Sequence, residues 1–109
     1  MKKILIIKSS SMGDIIHALP VAHDIRQALP DARIDWVAEE SFADIPPLAS
    51  AVEKVYVTAF RRWRKSPFSV KTRREVSALK AELQAEHYDI VIDIQGLIRS
   101  GLVARWTKA

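Results

Sequence analysis

Short apolar runs recur along the chain, separated by longer segments in which apolar residues return every three or four positions. The runs are rich in isoleucine, valine and aromatic residues, and they cover residues 3–8, 34–38, 54–60 and 89–94. Their length and composition are typical of strands that are buried in a sheet. The pattern therefore predicts four strands.

Helical spacing fills the first two intervals between these runs. Over residues 15–29 it predicts an amphipathic helix, in which Pro20 must either kink the helix or restart it. The second interval, residues 41–51, predicts a short helix that is interrupted at Pro46 and Pro47.

A third helix is predicted from Thr72 to about residue 88, because Thr72 and Glu75 match a capping box and an apolar stripe follows them. A final helix is predicted over residues 96–107. Strands that alternate with helices indicate parallel βαβ units. The predicted fold class is therefore α/β, a Rossmann-like parallel sheet with flanking helices.

Four strands are few for a complete doubly wound domain, and the last predicted helix should lead into a fifth strand. We therefore expect residues 1–109 to be an incomplete first domain of a longer protein. The chain has no cysteine, so disulfides and thiolate metal sites are excluded. It has no run of about 20 apolar residues, and we expect a cytoplasmic protein.

The formal charge of +4 is concentrated in one part of the chain. No acidic residue occurs between Glu53 and Glu75, and after Lys54 that interval holds seven further cations: Arg61, Arg62, Arg64, Lys65, Lys71, Arg73 and Arg74. Within it lies the basic segment, residues 60–68, in which Trp63 and Phe68 accompany the cations and can meet an apolar or sugar surface. Such a segment suits nucleic acid, anionic lipid or a phosphorylated sugar, although a solvated basic loop is the ordinary alternative.

The turn after the first predicted strand contains a glycine and a carboxylate, Gly13 and Asp14. Gly13 permits close approach or a positive φ, and Asp14 is either the N-cap of the next helix or a carboxylate that faces a cleft. The two roles of Asp14 are compatible. His17, one helical turn later, either orients Asp14, contacts a substrate or simply faces solvent.

Gln95 and Gly96 follow the fourth predicted strand, where they either contact a ligand or form a flexible helix start. The carboxyl ends of parallel strands share one edge of the sheet, so we expect these residues, Asp14 and the basic segment to meet there. The turn matches neither a dinucleotide fingerprint nor a P-loop. There is no D-x-D pair and no histidine spacing for a metal, so we expect no metal and no cofactor.

Four sequence motifs are more distinctive than the pattern of strands and helices: KSSSMGDIIHALP, DWVAEESFADIP, AFRRWRKSPF and YDIVIDIQGLIRSG. Their order and spacing resemble those of the lipopolysaccharide heptosyltransferase I family, and the resemblance covers essentially the whole chain. It implies the amino-terminal, acceptor-binding part of a two-domain GT-B glycosyltransferase. Such enzymes transfer L-glycero-D-manno-heptose from ADP-heptose to the Kdo residues of lipid A, with inversion, at the cytoplasmic face of the bacterial inner membrane.

The resemblance also implies roles for individual residues. Asp14 matches the general base of the family, and a further set matches its cleft-lining loops: Ser10, Gly13 and Gln95. The cations that match its segment for the anionic acceptor are Arg61, Arg62, Arg64 and Lys65. The nucleotide-sugar domain of the family is absent from these 109 residues, so we expect the chain alone to bind ADP-heptose poorly and to be inactive.

A second hypothesis, of a different class, is a stand-alone Rossmann-like module that binds anionic lipid or another polyanion through the basic segment. Nucleic acid is the weakest of the partners, because the segment lacks a recognition helix or RNP-type aromatics, and we expect no nucleic acid partner. An exposed edge of the predicted sheet also allows a dimer.

Overall fold

The structure, a computed structural model, describes residues 2–95. Four parallel strands form one sheet: β1 (Lys3–Ile7), β2 (Arg33–Glu39), β3 (Val52–Thr58) and β4 (Ile90–Asp93). Their spatial order is β3-β2-β1-β4, so the first strand lies in the interior and the third and fourth form the edges. The predicted α/β class with a parallel sheet is confirmed.

Three α-helices accompany the sheet: α1 (Met12–Ala28), α2 (Phe60–Trp63) and α3 (Val70–Glu86). Two 3₁₀ turns, Glu40–Phe42 and Pro46–Leu48, lie between β2 and β3. The predicted final helix over residues 96–107 lies outside the described residues.

The core consists of two layers, one on each face of the sheet, because alternate side chains of a strand point to opposite faces. Ile4 and Ile6 pack with Ile15 and Ala22 of α1 and with Trp36. On the other face, Leu5 and Ile7 of β1 and Tyr56 of β3 pack with Leu79 and Leu83 of α3. Helices therefore cover both faces, as the buried character of the first strand predicts.

Two helix predictions need correction in the first half of the chain. The helix α1 continues through Pro20, so the predicted restart is wrong. The predicted short helix over residues 41–51 is replaced by the two 3₁₀ turns. Pro46 and Pro47 have no backbone N–H, so a regular α-helical hydrogen-bond ladder cannot run through them.

The predicted capping box of Thr72 and Glu75 is also wrong. The N-cap of α3 is Ser69, whose Oγ accepts a hydrogen bond from the Thr72 backbone N–H at 3.1 Å. Glu75 is engaged elsewhere, by the guanidinium of Arg62. The serine three positions earlier therefore starts the helix at Val70, about half a turn before the predicted start.

A closed set of polar side chains lies at the amino end of the sheet, and we call it the amino-end network: Lys3, Arg33, Asp35, Glu86 and Tyr88. The Asp35 carboxylate is fully buried, accepts a hydrogen bond from the Tyr88 hydroxyl and pairs with Arg33 Nε at 3.2 Å. Glu86 pairs with Arg33 at 3.2 Å and with Lys3 at 3.3 Å. Burial and the hydrogen bond to Asp35 raise the pKa of Tyr88 above its ordinary value.

Within residues 2–95, no helix is long and apolar enough to cross a membrane. The same part of the chain contains no group of three or more histidine, aspartate or glutamate side chains that could hold a metal ion.

Candidate functional site

A cleft of about 260 Å³ lies at the carboxyl ends of the strands. Three parts of the chain line it. Ser9 and Ser10 follow β1, Glu39 ends β2 and is followed by Ser41 and Phe42, and Arg61 and Arg64 follow β3. The loops after β1, β2 and β3 are therefore close together, as the sequence predicts, whereas Asp14 is not among the residues that line the cleft. We call this feature the carboxyl-end cleft.

Gln95 joins the loop after β4 to the loop after β1. Its Oε1 accepts hydrogen bonds from the backbone N–H groups of Ser9, at 3.2 Å, and Ser10, at 3.4 Å. Its Nε2 donates to Ser10 Oγ at 3.5 Å. Gln95 therefore holds the two serines that line the cleft. Gly96 lies outside the described residues.

Asp14 lies in the first turn of α1, where it is exposed. The N-cap is Ser11, so the prediction that Asp14 caps the helix is corrected: Asp14 is the third helical residue, and its Oδ2 accepts from the Ser11 hydroxyl at 2.9 Å and the Ser11 backbone N–H at 3.4 Å. These hydrogen bonds, and then the charge of Lys8, lower the pKa of Asp14. The carboxylate is therefore ionised at neutral pH.

The surroundings of Asp14 are open to solvent. Gly13 is helical, so the predicted positive φ is not found, and a methyl group added there would meet no atom within 4 Å. His17 is exposed on the next turn and is the weakest of the groups that lower the pKa of Asp14. An incoming group can therefore reach this carboxylate without displacing a side chain.

Arg62 differs from the other cations of the basic segment. Its guanidinium donates to both carboxylate oxygens of Glu75, at 2.5 and 2.7 Å, and to both of Glu40, at 3.2 Å each. These hydrogen bonds, to Glu75 first and then Glu40, raise the pKa of Arg62. Arg62 thus ties α2 to α3 and to the turn after β2, and its role as a substrate ligand stays a prediction.

The remaining predicted cations are available. Arg61, Arg64 and Lys65 are exposed, and none of them makes an ion pair within residues 2–95. Arg61 and Arg64 line the carboxyl-end cleft, whereas Lys65 lines a smaller depression beside it. An arginine presents several donors in a planar fork, so the cleft is suited to a carboxylate or a phosphate.

The aromatic residues of the basic segment have different positions. Trp63 is buried against α3 and makes an edge-to-face contact with Phe60, with ring centroids 5.2 Å apart. Its predicted contact with a sugar surface is therefore wrong, because the ring belongs to the core. Phe68 is 87% exposed, so its predicted surface role stays open.

One site residue was missed from the sequence. Glu39 lies between the loops after β2 and β3, and its carboxylate accepts hydrogen bonds from the start of α2. Two consecutive acids directly after a predicted strand, at the edge where ligands bind, were the signal that could have shown it.

Comparison with known proteins gives several close matches, although no family model matches the chain. Over 104 residues the chain is 52% identical to lipopolysaccharide heptosyltransferase 1 of Escherichia coli K12. This match covers 94% of the chain and 33% of the E. coli protein. The protein of the same name from Pseudomonas aeruginosa is 42% identical, over 95% of this chain and 29% of its own length. The chain therefore spans about a third of the curated relatives it matches.

Solved structures agree. The E. coli heptosyltransferase WaaC with ADP superposes with a TM-score of 0.90 at 50% identity, over 95% of this chain and 33% of that one. A glycosyl transferase family 9 structure from Veillonella parvula shares the fold, with a TM-score of 0.80 at 21% identity, over 96% of this chain and 29% of that one.

In sequence and in fold the chain thus resembles about a third of the heptosyltransferases, a class of glycosyltransferases. Within that class, the chain corresponds to an amino-terminal portion of lipopolysaccharide heptosyltransferase I, and the resemblance seen in the four sequence motifs is confirmed. The comparisons give no support to the alternative of a stand-alone polyanion-binding module.

Proposed function

We propose that this chain forms the acceptor-binding part of an enzyme that transfers L-glycero-D-manno-heptose from ADP-heptose to Kdo of lipid A. The observation that carries the proposal is the grouping at one sheet edge of an ionised, accessible carboxylate and a cleft lined by free arginines. This grouping occurs in a chain that is 52% identical to a lipopolysaccharide heptosyltransferase 1.

The proposed donor follows from the solved neighbours. The E. coli structures contain ADP in one case and ADP-2-deoxy-2-fluoro heptose in the other. This chain spans 33% of those chains, and we propose that most of the donor site lies in the remaining part of such an enzyme. We therefore expect the 109 residues alone to bind ADP-heptose poorly and to form no product.

In the proposed reaction Asp14 acts as the general base. The acceptor hydroxyl of Kdo attacks the anomeric carbon of heptose while Asp14 takes its proton, and the bond from that carbon to the ADP oxygen breaks with its electron pair leaving on ADP. A single displacement of this kind inverts the anomeric configuration. The exposure of Asp14 supports the role, since an acceptor hydroxyl can reach its carboxylate.

The proposed acceptor site consists of the free cations beside the carboxyl-end cleft. Arg61 and Arg64 are placed to bind a Kdo carboxylate or a lipid A phosphate, with Lys65 at the margin. Arg62 is left out of this proposed site, because it is held by two carboxylates.

We also propose that the protein works at the cytoplasmic face of the inner membrane, as a peripheral protein. Support comes from the exposed Phe68 next to unpaired cations, a combination that suits an anionic lipid surface. Flotation with vesicles that contain anionic lipid tests this, and equal recovery with neutral vesicles would contradict it.

A dimer through the β4 edge is a further proposal, and sedimentation velocity over a range of concentrations tests it.

The transfer itself is tested with the full-length enzyme that contains this chain. With ADP-heptose and Kdo-lipid A, mass spectrometry should show an acceptor heavier by one heptose, and lipid A that lacks Kdo should give no product. Product from lipid A without Kdo, or none from either acceptor, would contradict the proposal. Clear product from the 109 residues alone would contradict the assignment of the donor site to the remaining part.

A further inference from the structure

The side chain of Glu39 accepts three hydrogen bonds, one from the end of β3 and two from the start of the basic segment. Its Oε1 accepts from the Thr58 hydroxyl at 2.8 Å and from the Phe60 backbone N–H at 3.0 Å. Its Oε2 accepts from the Arg61 backbone N–H at 3.0 Å. Both oxygens of this carboxylate are therefore used to hold the end of β3 and the first residues of α2.

The helix needs such a partner because its own N-cap residue cannot supply one. Ala59 occupies the N-cap position and has no side-chain acceptor. The first N–H groups of a helix lack intrahelical partners, and a carboxylate beside them satisfies the donors and complements the helix dipole. Glu39 performs this function from β2, about twenty residues earlier in the chain.

The backbone of Glu39 is tied to the opposite side of the cleft. Its N–H donates to the Ser9 carbonyl oxygen at 3.0 Å. The residue thus contacts the loop after β1 through its main chain and the loop after β3 through its side chain. Ser9, Glu39 and Arg61 all line the same cleft, so the distance across it depends on this residue.

We propose that Glu39 is a positioning residue, whose carboxylate fixes the start of α2 so that Arg61 and Arg64 face the cleft beside Ser9 and Ser10. The inference rests on the proposed function, because it assigns the acceptor anion to those arginines. Glu39 itself does not contact the acceptor; it acts through Arg61.

The test is the affinity of the 109-residue chain for Kdo-lipid A in detergent micelles, measured by titration calorimetry. Glu39→Gln keeps one acceptor oxygen but places an amide N–H against the Arg61 backbone N–H. If Arg61 is displaced, its charge-assisted contact with the anion is lost, which corresponds to about a tenfold loss of affinity. Removing a negative charge should by itself strengthen the binding of an anion, so a weakening has the opposite sign to a plain charge effect.

Glu82→Gln is the matched control. Glu82 is exposed on α3, where it makes a long ion pair with Lys54 at 3.8 Å, and the substitution changes the net charge by the same amount. It should leave the affinity unchanged or slightly raise it. Equal affinities of the Glu39 and Glu82 variants would overturn the inference.

A double-mutant cycle with Arg61→Ala separates positioning from a general structural effect. If Glu39 acts through Arg61, its substitution should cost little further affinity once Arg61 is alanine. Fully additive losses, or a Glu39→Gln variant that is unfolded at the assay temperature, would overturn the inference and assign Glu39 to the fold. An Arg61→Ala variant with wild-type affinity would instead refute the proposed acceptor site.

Discussion

The two ends of the sheet hold their charged side chains in different ways. At the amino end, Asp35 is fully buried and its charge is matched by Arg33 and the Tyr88 hydroxyl, with Glu86 and Lys3 completing the network. At the carboxyl end, the cations beside the cleft are exposed and have no ion-pair partner within residues 2–95; they are Arg61, Arg64 and Lys65.

The difference has a physical cause. A buried charge is costly unless it is paired, so the amino-end network must be closed for the sheet to pack. An exposed cation costs little to leave unpaired, and it keeps its interaction energy for a ligand. Paired and unpaired cations both occur within the basic segment. Arg62 pairs with Glu40 and Glu75, whereas Arg61 and Arg64 make no ion pair within residues 2–95.

The largest predicted effect is on chemistry at the carboxyl end. Asp14→Asn in the full-length enzyme should lower kcat by about 100-fold or more, because the amide cannot accept the proton. The side chain is exposed and asparagine keeps an acceptor oxygen for Ser11, so we expect only a small change in the free energy of unfolding. Steady-state kinetics and urea unfolding measure the two effects. Losses of equal size in both would show that Asp14 only stabilises the start of α1.

The amino end should respond in the opposite way. Asp35→Ala removes the buried carboxylate that pairs with Arg33 and accepts from Tyr88, and breaking a buried pair of this kind costs about 3–5 kcal/mol of unfolding free energy. Asp31→Ala, in the exposed turn before β2, is the matched control and should change stability by no more than about 0.5 kcal/mol. Similar small losses in both variants would contradict the closed network.

A pH titration sharpens the same comparison. The pKa of Tyr88 is raised in the folded state by burial and by its hydrogen bond to Asp35, and the pKa of Tyr56 beside it is raised by burial. A raised tyrosine pKa contributes stability that is fully present below about pH 10 and is lost as the pH rises further. The urea concentration at the unfolding midpoint should therefore decrease as the pH is raised above about 10. The urea midpoint of the Tyr88→Phe variant should decrease less steeply with pH. Tyrosinate absorbance from folded protein at that pH would contradict the raised pKa of Tyr88.

The smallest predicted effect concerns Arg62. Its partners are exposed enough for salt to screen them, so Arg62→Ala should lower stability slightly, and less at high salt than at low salt. The affinity of the Arg62→Ala variant for Kdo-lipid A should stay near that of the unmodified chain. A loss of affinity as large as that of Arg61→Ala would show that Arg62 also binds the acceptor.

Sequence patterns predicted the strands and the edge at which the loops meet, because β-branched runs and parallel topology are local or general properties. They could not predict which hydroxyl or carboxylate begins a helix. Ser69 and Thr72 are three positions apart, as are Ser11 and Asp14, and the choice between them depends on nearby packing.

Nor could the sequence separate Arg62 from its neighbours. The acids that hold Arg62 lie 22 and 13 residues away, and only the folded chain brings them together. The capping role of Glu39 was hidden for the same reason, since its partners at the start of α2 are 21 and 22 residues away. The free and bound members of a basic segment are therefore distinguished by tertiary contacts.

The affinity of the chain for Kdo-lipid A tests the central claim most directly. Arg61→Ala combined with Arg64→Ala should weaken binding by at least about tenfold, because each arginine loses a charge-assisted contact. Arg73→Ala combined with Arg74→Ala removes the same charge from an exposed face of α3 and should leave the affinity nearly unchanged. Equal affinities of the two double variants would contradict an acceptor site at the carboxyl-end cleft.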